Sequence, residues 1–200
     1  MKRLAVLISN KGTGTNLQSI INGIKNGKIN AKIAIVISDT KESLGLDLAI
    51  KNNLKIAVCL KKEDLFSLLE KYKIDFVCLA GWKQIILDEV LDTFPNRIIN
   101  THPGLIPDEI NGTVINPDGT KGLWNKEKLT NKAMQNFLDC NASYAGCTNH
   151  LLTKEFDFGP ILGRCFEKIR ENDTIETLYK RLKVKENKMY VEVLAKLCNE

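Results

Sequence analysis

The chain has 200 residues, 44% hydrophobic and 26% charged, enough for one compact domain with a real core. Its formal charge of +5 comes from 29 Lys and Arg interleaved with 24 Asp and Glu, without the aromatic-studded basic block that nucleic-acid binding calls for. No apolar run nears the roughly 20 residues of a membrane span.

Residues 4–8 are continuously apolar but stop at Ser9 with no cleavage site after them, so they read as a buried first strand rather than a signal peptide. Residues 9–18 then carry glycines and lead into a helical pattern at 19–24. Strand, glycine turn and helix start together make an anion site, because the first helical N–H groups lack partners and the dipole end is positive. The plainer alternative is a βα turn with Thr15 or Asn16 as N-cap.

The alternation continues. Strands are expected at 32–37, 55–60, 75–80 and 97–100, and helices at 43–52, 63–73 and through 87–91. Five strands alternating with helices imply an α/β fold with a mostly parallel, Rossmann-like sheet and flanking helices. After Pro107 the pattern breaks. Asn111-Gly112 and Asp118-Gly119 are turn signals that predict an irregular stretch or small hairpin arm, anchored by Leu123 and Trp124. A helix at 126–139, strands at 143–153 and 161–169, and a loop at 155–160 follow. Asp173 is expected to cap a closing amphipathic helix to about residue 196, with Leu178, Leu182, Met189, Val193 and Leu197 on its apolar side.

The strand at 97–100 gives way to a loop at Pro103, which cannot donate to a sheet ladder. Asn100 and His102 therefore lie where an open α/β sheet binds its ligands, beyond a strand's carboxyl end, and two residues apart they share a face. Asp157 stands in the later loop among Phe156, Phe158, Gly159 and Pro160, where a partly desolvated carboxylate gains by pairing with an imidazolium. His150, the other histidine, reads as a hydrogen-bonded core residue. An amide and an imidazolium that both donate to an oxyanion, with a carboxylate to orient the ring and relay a proton, suit transfer of an acyl-type group to an amine. No serine or cysteine stands as a covalent nucleophile, so direct amine attack is expected. The six cysteines form no Cys-x-x-Cys pair and are expected to be reduced thiols of a cytoplasmic protein; with two histidines they make no zinc site.

These residues carry a resemblance over nearly the whole chain. Ile8-Ser9 with Gly14-Thr15-Asn16-Leu17-Gln18, Leu79-Ala80-Gly81, Asn100-Thr101-His102-Pro103 with Leu105 and Pro107, Gly146-Cys147-Thr148 with His150, Asp157-Phe158-Gly159-Pro160-Ile161, and Glu186 with Tyr190 resemble the folate-dependent formyltransferases. The glycine-rich opening followed by Asn-Leu-Gln is similar to their glycinamide ribonucleotide branch. The resemblance implies a single formyltransferase domain over 1–200 with an antiparallel C-terminal strand, residues 1–100 forming the nucleotide- and phosphate-binding half and 101–200 the folate-binding and catalytic half.

It further implies transfer of the formyl group of 10-formyltetrahydrofolate to the amine of 5'-phosphoribosylglycinamide in purine biosynthesis, without a metal, by a monomer or homodimer that binds neither nucleic acid nor membrane. Asn100, His102 and Asp157 would be the catalytic trio. Gly14, Thr15 and Asn16 would hold the substrate phosphate, Gly81 would lie against the glycinamide arm, and Glu186 would bind the ribose. Gln84, Ile85 and Ile86, with Leu152 and the Asp157 loop, would form the pterin pocket.

The chain departs from the family pattern in four ways. Asn10 and Lys11 lengthen the first loop, Gln84 and Lys62 stand where arginines are frequent, the segment 108–123 is longer, and the substrate-side histidine often found after it is missing. Alternative readings are a sugar-nucleotide N-formyltransferase, for which the long 108–123 segment could reshape acceptor binding, and a non-catalytic nucleotide-binding module. The related tRNA formyltransferase and formyl-folate hydrolase carry an extra C-terminal or N-terminal domain for which this sequence is expected to leave no room.

Overall fold

The computed structural model describes residues 1–9 and 14–199, so the turn residues Asn10 and Lys11 lie outside the described residues. The chain divides into two compact units, one of residues 1–100 with 190–200 and one of residues 101–189.

In the first unit β1 (Lys2–Ile8), β2 (Ala31–Ser38), β3 (Ile56–Val58), β4 (Phe76–Leu79) and the start of β5 (Ile98–His102) run parallel in the order β3-β2-β1-β4-β5. Their side chains are apolar on both faces. Leu4 to Leu7, Ile35 to Ile37, Val77, Cys78, Ile98 and Ile99 are fully or almost fully buried, as befits parallel strands covered on both sides. The intervening helices are α1 (Thr15–Lys25), α2 (Leu44–Lys51), α3 (Leu65–Lys71) and α4 (Asp88–Thr93). Leu17 and Ile20 of α1, Leu46 and Ala49 of α2, and Leu65 and Leu69 of α3 complete this core.

The second unit takes up β5 at Thr101 and His102 and adds α5 (Thr130–Asp139), β6 (Tyr144–Leu151), β7 (Ile161–Lys168) and the larger part of α6 (Ile175–Asn199). β6 and β7 pair antiparallel, which completes a seven-stranded mixed sheet. The α/β class and the mostly parallel sheet with an antiparallel end are those expected from sequence. Ala133, Met134 and Phe137 of α5, Leu105, Ile106, Leu178 and Leu182 form the buried centre of this unit.

Four differences from the sequence reading have a clear physical reason. β3 spans three residues rather than six because it is the sheet's edge and pairs only with Val36 to Ser38. β5 continues through His102, so the histidine is the last strand residue rather than part of the loop, and Pro103 ends the pairing. α5 begins at Thr130 rather than 126 because Asn125 and Glu127 adopt φ of 57° and 64°, which no α-helix accommodates. Ahead of α6 it is Thr174 that exchanges hydrogen bonds with Thr177, while Asp173 is engaged by Arg181.

The 108–122 segment is a small hairpin arm, as its turn signals predict. Ile115 bridges Lys121, the Gly122 N–H donates to the Val114 carbonyl at 2.8 Å, and Gly119 turns the chain with a φ of 84°.

Within the first unit Tyr190, fully buried on α6, shares its hydroxyl between the carbonyls of Leu79 (3.3 Å) and Ile99 (3.4 Å), at the carboxyl ends of β4 and β5. Tyr190→Phe keeps the ring and removes this bond. It is expected to lower the unfolding free energy in urea by about 1 kcal/mol at unchanged m-value, and an unchanged midpoint would contradict the assignment.

Candidate active site

β1 and β4 are parallel, with Leu7 opposite Leu79, and β4 and β5 are parallel, with Cys78 opposite Ile99. The segments that follow these strands therefore leave the same edge of the first unit. Three groups of expected site residues lie along it: Gly14 with Thr15 and Asn16 after β1, Gly81 after β4, and Asn100 near the end of β5.

Gly14 is the N-cap of α1, in place of the expected Thr15 or Asn16, with φ 70° and no side-chain cap. A left-handed residue at that point favours glycine, and the first turn of α1 carries no acidic side chain, which keeps the helix start open to an anion. The Ser9 hydroxyl at the end of β1 donates to Asp39 Oδ2 (2.6 Å) and accepts from the Lys83 N–H (3.1 Å). It thereby ties the chain ends after β1, β2 and β4 to one another. Gln84, Ile85 and Ile86 form the irregular segment before α4, with Ile85 exposed and Ile86 buried.

In the second unit the structure brings His102 and Asp157 together, 55 positions apart in sequence. His102 Nδ1 lies 3.3 Å from Asp157 Oδ1, with the histidine side chain 2% and the aspartate side chain 15% exposed. Asp157 itself has φ 50°, a left-handed conformation more tolerable for Asp than for most residues. Burial pushes the Asp157 carboxyl up, but the hydrogen bond and charge of His102 and the Glu127 N–H (2.8 Å to Oδ2) outweigh it and hold the group below the usual carboxylate range.

Thr148 Oγ1 fixes the chain after His102 by donating to the Gly104 carbonyl (2.7 Å) and accepting from the Ile106 N–H (3.1 Å). A groove of about 360 Å3 runs beside the Asp157 loop along Thr153, Phe158, Gly159 and Pro160. A second of about 530 Å3 lies between the arm and β7, lined by Val114, Ile115, Ile161 and Arg164. Leu152 follows β6 and is half-buried. Glu186 lies on α6 and accepts from Lys183 Nζ at 2.5 Å.

Several participants were missed by the sequence reading. Lys183 is half-buried, and although burial lowers its pKa the charge of Glu186 raises it by more. An i,i+3 pair on a helix ordinarily signals a solvated face, so only the burial reveals it. Trp124 and Glu127 touch the His102–Asp157 pair through main-chain atoms, which leave no mark in a residue pattern. Among the described residues no group of three or more His, Cys, Asp or Glu is placed to hold a metal ion. No described helix is long and apolar enough to cross a membrane.

With this geometry in view, the family model described as formyl transferase matches residues 2–194. The chain belongs to the formyl transferase family. It is 34% identical over its whole length to the chloroplastic phosphoribosylglycinamide formyltransferase of Arabidopsis thaliana, of which it covers 66%. It is 30% identical over 97% of its length to the phosphoribosylglycinamide formyltransferase of Haemophilus influenzae, covering 86% of that protein. The chain thus spans less than two thirds of the plant relative. The crystal structure of glycinamide ribonucleotide transformylase 1 from Symbiobacterium toebii superposes with a TM-score of 0.85 at 32% identity, covering all of this chain and 88% of that one.

His150, on β6, is completely buried, and its Nδ1 lies 3.1 Å from the Leu151 carbonyl. Burial first, then the charge of His102, push its pKa down to about 4. Between that value and about 6.5 the unfolded chain binds a proton here that the folded chain does not, so stability falls as pH drops through this window. Replacing His150 with Phe should flatten the pH dependence of the unfolding free energy between about pH 6.5 and 4 by up to roughly 1.4 kcal/mol per pH unit. Denaturant titrations at several pH values measure this, and an unaltered slope would show that His150 does not stay neutral in the fold.

Proposed function

We propose that this chain transfers the formyl group of 10-formyltetrahydrofolate to the primary amine of 5'-phosphoribosylglycinamide, giving the formylated ribonucleotide and tetrahydrofolate. The observation that carries the reading is the buried contact of His102 with Asp157, the histidine standing two residues beyond Asn100 on the same face of β5. These three groups suit transfer of an acyl-type group to an amine.

In this reading the amine nitrogen attacks the formyl carbon and the carbonyl pair moves to oxygen. The imidazolium of His102 and the amide of Asn100 donate to that oxyanion, each worth about 3 kcal/mol in the transition state. Collapse reforms the carbonyl and breaks the bond to the folate nitrogen N10. The proton that the amine loses is the proton that N10 gains, and Asp157 relays it directly or through water.

Gly14, Thr15 and Asn16 at the start of α1 hold the phosphate on helix N–H groups. Gly81 flanks the glycinamide arm, and Glu186 takes the ribose hydroxyls. The segment around Gln84, Ile85 and Ile86, with Leu152 and the Asp157 loop beside its groove, receives the pterin. The protein acts in the cytoplasm, as a monomer or homodimer, on small molecules alone. An amino-sugar nucleotide is the second acceptor to consider, because the 108–122 arm is longer than the family pattern and borders a groove of about 530 Å3.

Steady-state formyl transfer with the ribonucleotide and an amino-sugar nucleotide as competing acceptors decides between them. Turnover of the ribonucleotide is expected, and its absence at saturating donor would sink the reading. His102→Ala and Asp157→Asn should each lower kcat by at least about 100-fold with ribonucleotide binding little changed. Gly14→Val, at a φ of 70°, should weaken ribonucleotide binding and spare folate binding. Near-normal turnover in either of the first two variants, or equal loss of both ligands in the third, would contradict these roles.

A further inference from the structure

The arm that leaves the site at Pro107 comes back at residues 123–127, and this return strap is tied to both members of the His102–Asp157 pair. Toward the histidine it makes three bonds. The Leu105 N–H donates to the Leu123 carbonyl at 2.9 Å, Asn125 Nδ2 donates to the Pro103 carbonyl at 3.2 Å, and the Trp124 carbonyl sits 2.7 Å from His102 Nε2.

Toward the aspartate the strap also makes three contacts. Trp124 Nε1 donates to the Asp157 carbonyl at 3.1 Å, the Glu127 N–H donates to Asp157 Oδ2 at 2.8 Å, and the Trp124 ring lies 5.8 Å from that of Phe158. Asn125 is buried and braced from the far side, where Asn136 Nδ2 donates to its Oδ1 at 2.7 Å. The contact with the imidazole depends on Gly104. A Cβ there would lie 1.7 Å from the Trp124 carbonyl oxygen and 2.9 Å from His102 Nε2.

A carbonyl oxygen only accepts, so the nitrogen facing it carries the hydrogen. We propose that the 123–127 strap is the positioning element of the pair. It keeps a hydrogen on His102 Nε2 in every protonation state and confines proton movement to the edge between Nδ1 and the Asp157 carboxylate.

With Nε2–H fixed, a neutral ring would aim the Nδ1 lone pair at an ionised carboxylate. The pair therefore holds one proton between Nδ1 and Oδ1, as imidazolium and carboxylate or as imidazole and acid. His150 on β6 is coupled electrostatically to the ring, and burial together with the His102 charge keeps it neutral. This division of labour fits the two tasks of the proposed reaction, on whose reading of His102 and Asp157 the inference rests. Nε2–H passes from the Trp124 carbonyl to the developing oxyanion without ever acting as a base. The proton lost by the amine is taken on the Asp157 carboxylate and returned from there to the leaving nitrogen.

The chain has two histidines, so ring-15N histidine labelling gives two sets of signals, and His150→Phe assigns them. From about pH 5 to about pH 9, His102 Nε2 should show a protonated, one-bond N–H pattern throughout, with spectral change confined to Nδ1. Asn125→Gly suits the left-handed backbone and removes the brace; Gly104→Ala pushes the carbonyl away. Both should release a second species with a bare Nε2 and lower kcat at least about tenfold at unchanged KM for the ribonucleotide. Trp124→Phe keeps the main-chain carbonyl and should retain the Nε2 pattern. A bare Nε2 in the unaltered protein at any pH in this range would overturn the proposal, as would a ring pattern unchanged in both Asn125→Gly and Gly104→Ala. Full turnover in His102→Ala alongside the expected ring pattern would instead overturn the catalytic reading and leave the strap's role standing.

Discussion

A histidine and an aspartate held 3.3 Å apart and nearly out of water impose conditions on everything around them. Desolvating two charges costs several kcal/mol per ion, and their attraction repays it only where the remaining donors and acceptors are also satisfied. Here the second carboxylate oxygen takes the Glu127 N–H and the second ring nitrogen takes the Trp124 carbonyl. The pair is thus a four-membered arrangement. Two of its members are main-chain groups of one short strap, and both the end of β5 and the Asp157 loop are anchored to that strap.

This dependence explains why the backbone here departs from regular structure. Asp157, Asn125 and Glu127 all have positive φ, a conformation that costs a non-glycine residue on the order of 1 kcal/mol and persists where the surroundings enforce it. Glu127 and Asp157 meet where the strap touches the loop, and Asn125 stands where the strap holds the Pro103 carbonyl. Pro103 ends β5 directly after His102, so the imidazole is set by a strand and the chain is free to turn immediately afterwards. Gly104, the next residue, leaves the space that the Trp124 carbonyl fills.

The strands and the His102 and Asp157 side chains were legible in the sequence. Alternating apolar runs gave the parallel strands, the stop at Pro103 marked a strand end, and Asp157 among phenylalanines marked a carboxylate in need of a partner. What escaped was carried by main-chain atoms or by burial. Residues 126–129 look helical because Lys and Glu are good helix formers, and nothing in a glutamate signals a φ of 64°. The Lys183–Glu186 pair has the spacing of a solvated helix face, and only the fold shows that its glutamate is buried and its lysine half-buried. The arm at 108–122 was legible as turns, but not its purpose, because the contacts that give it one lie in the residues that follow it.

If His102 and Asp157 work as one unit, removing the second after the first should change little. A double-mutant cycle on kcat/KM for formyl transfer, with His102→Ala, Asp157→Ala and the double variant, tests this most directly. The account predicts that the double variant is slower than the worse single variant by no more than about threefold, the losses being strongly non-additive. Losses that multiply, each substitution costing its full factor in the presence of the other, would contradict it.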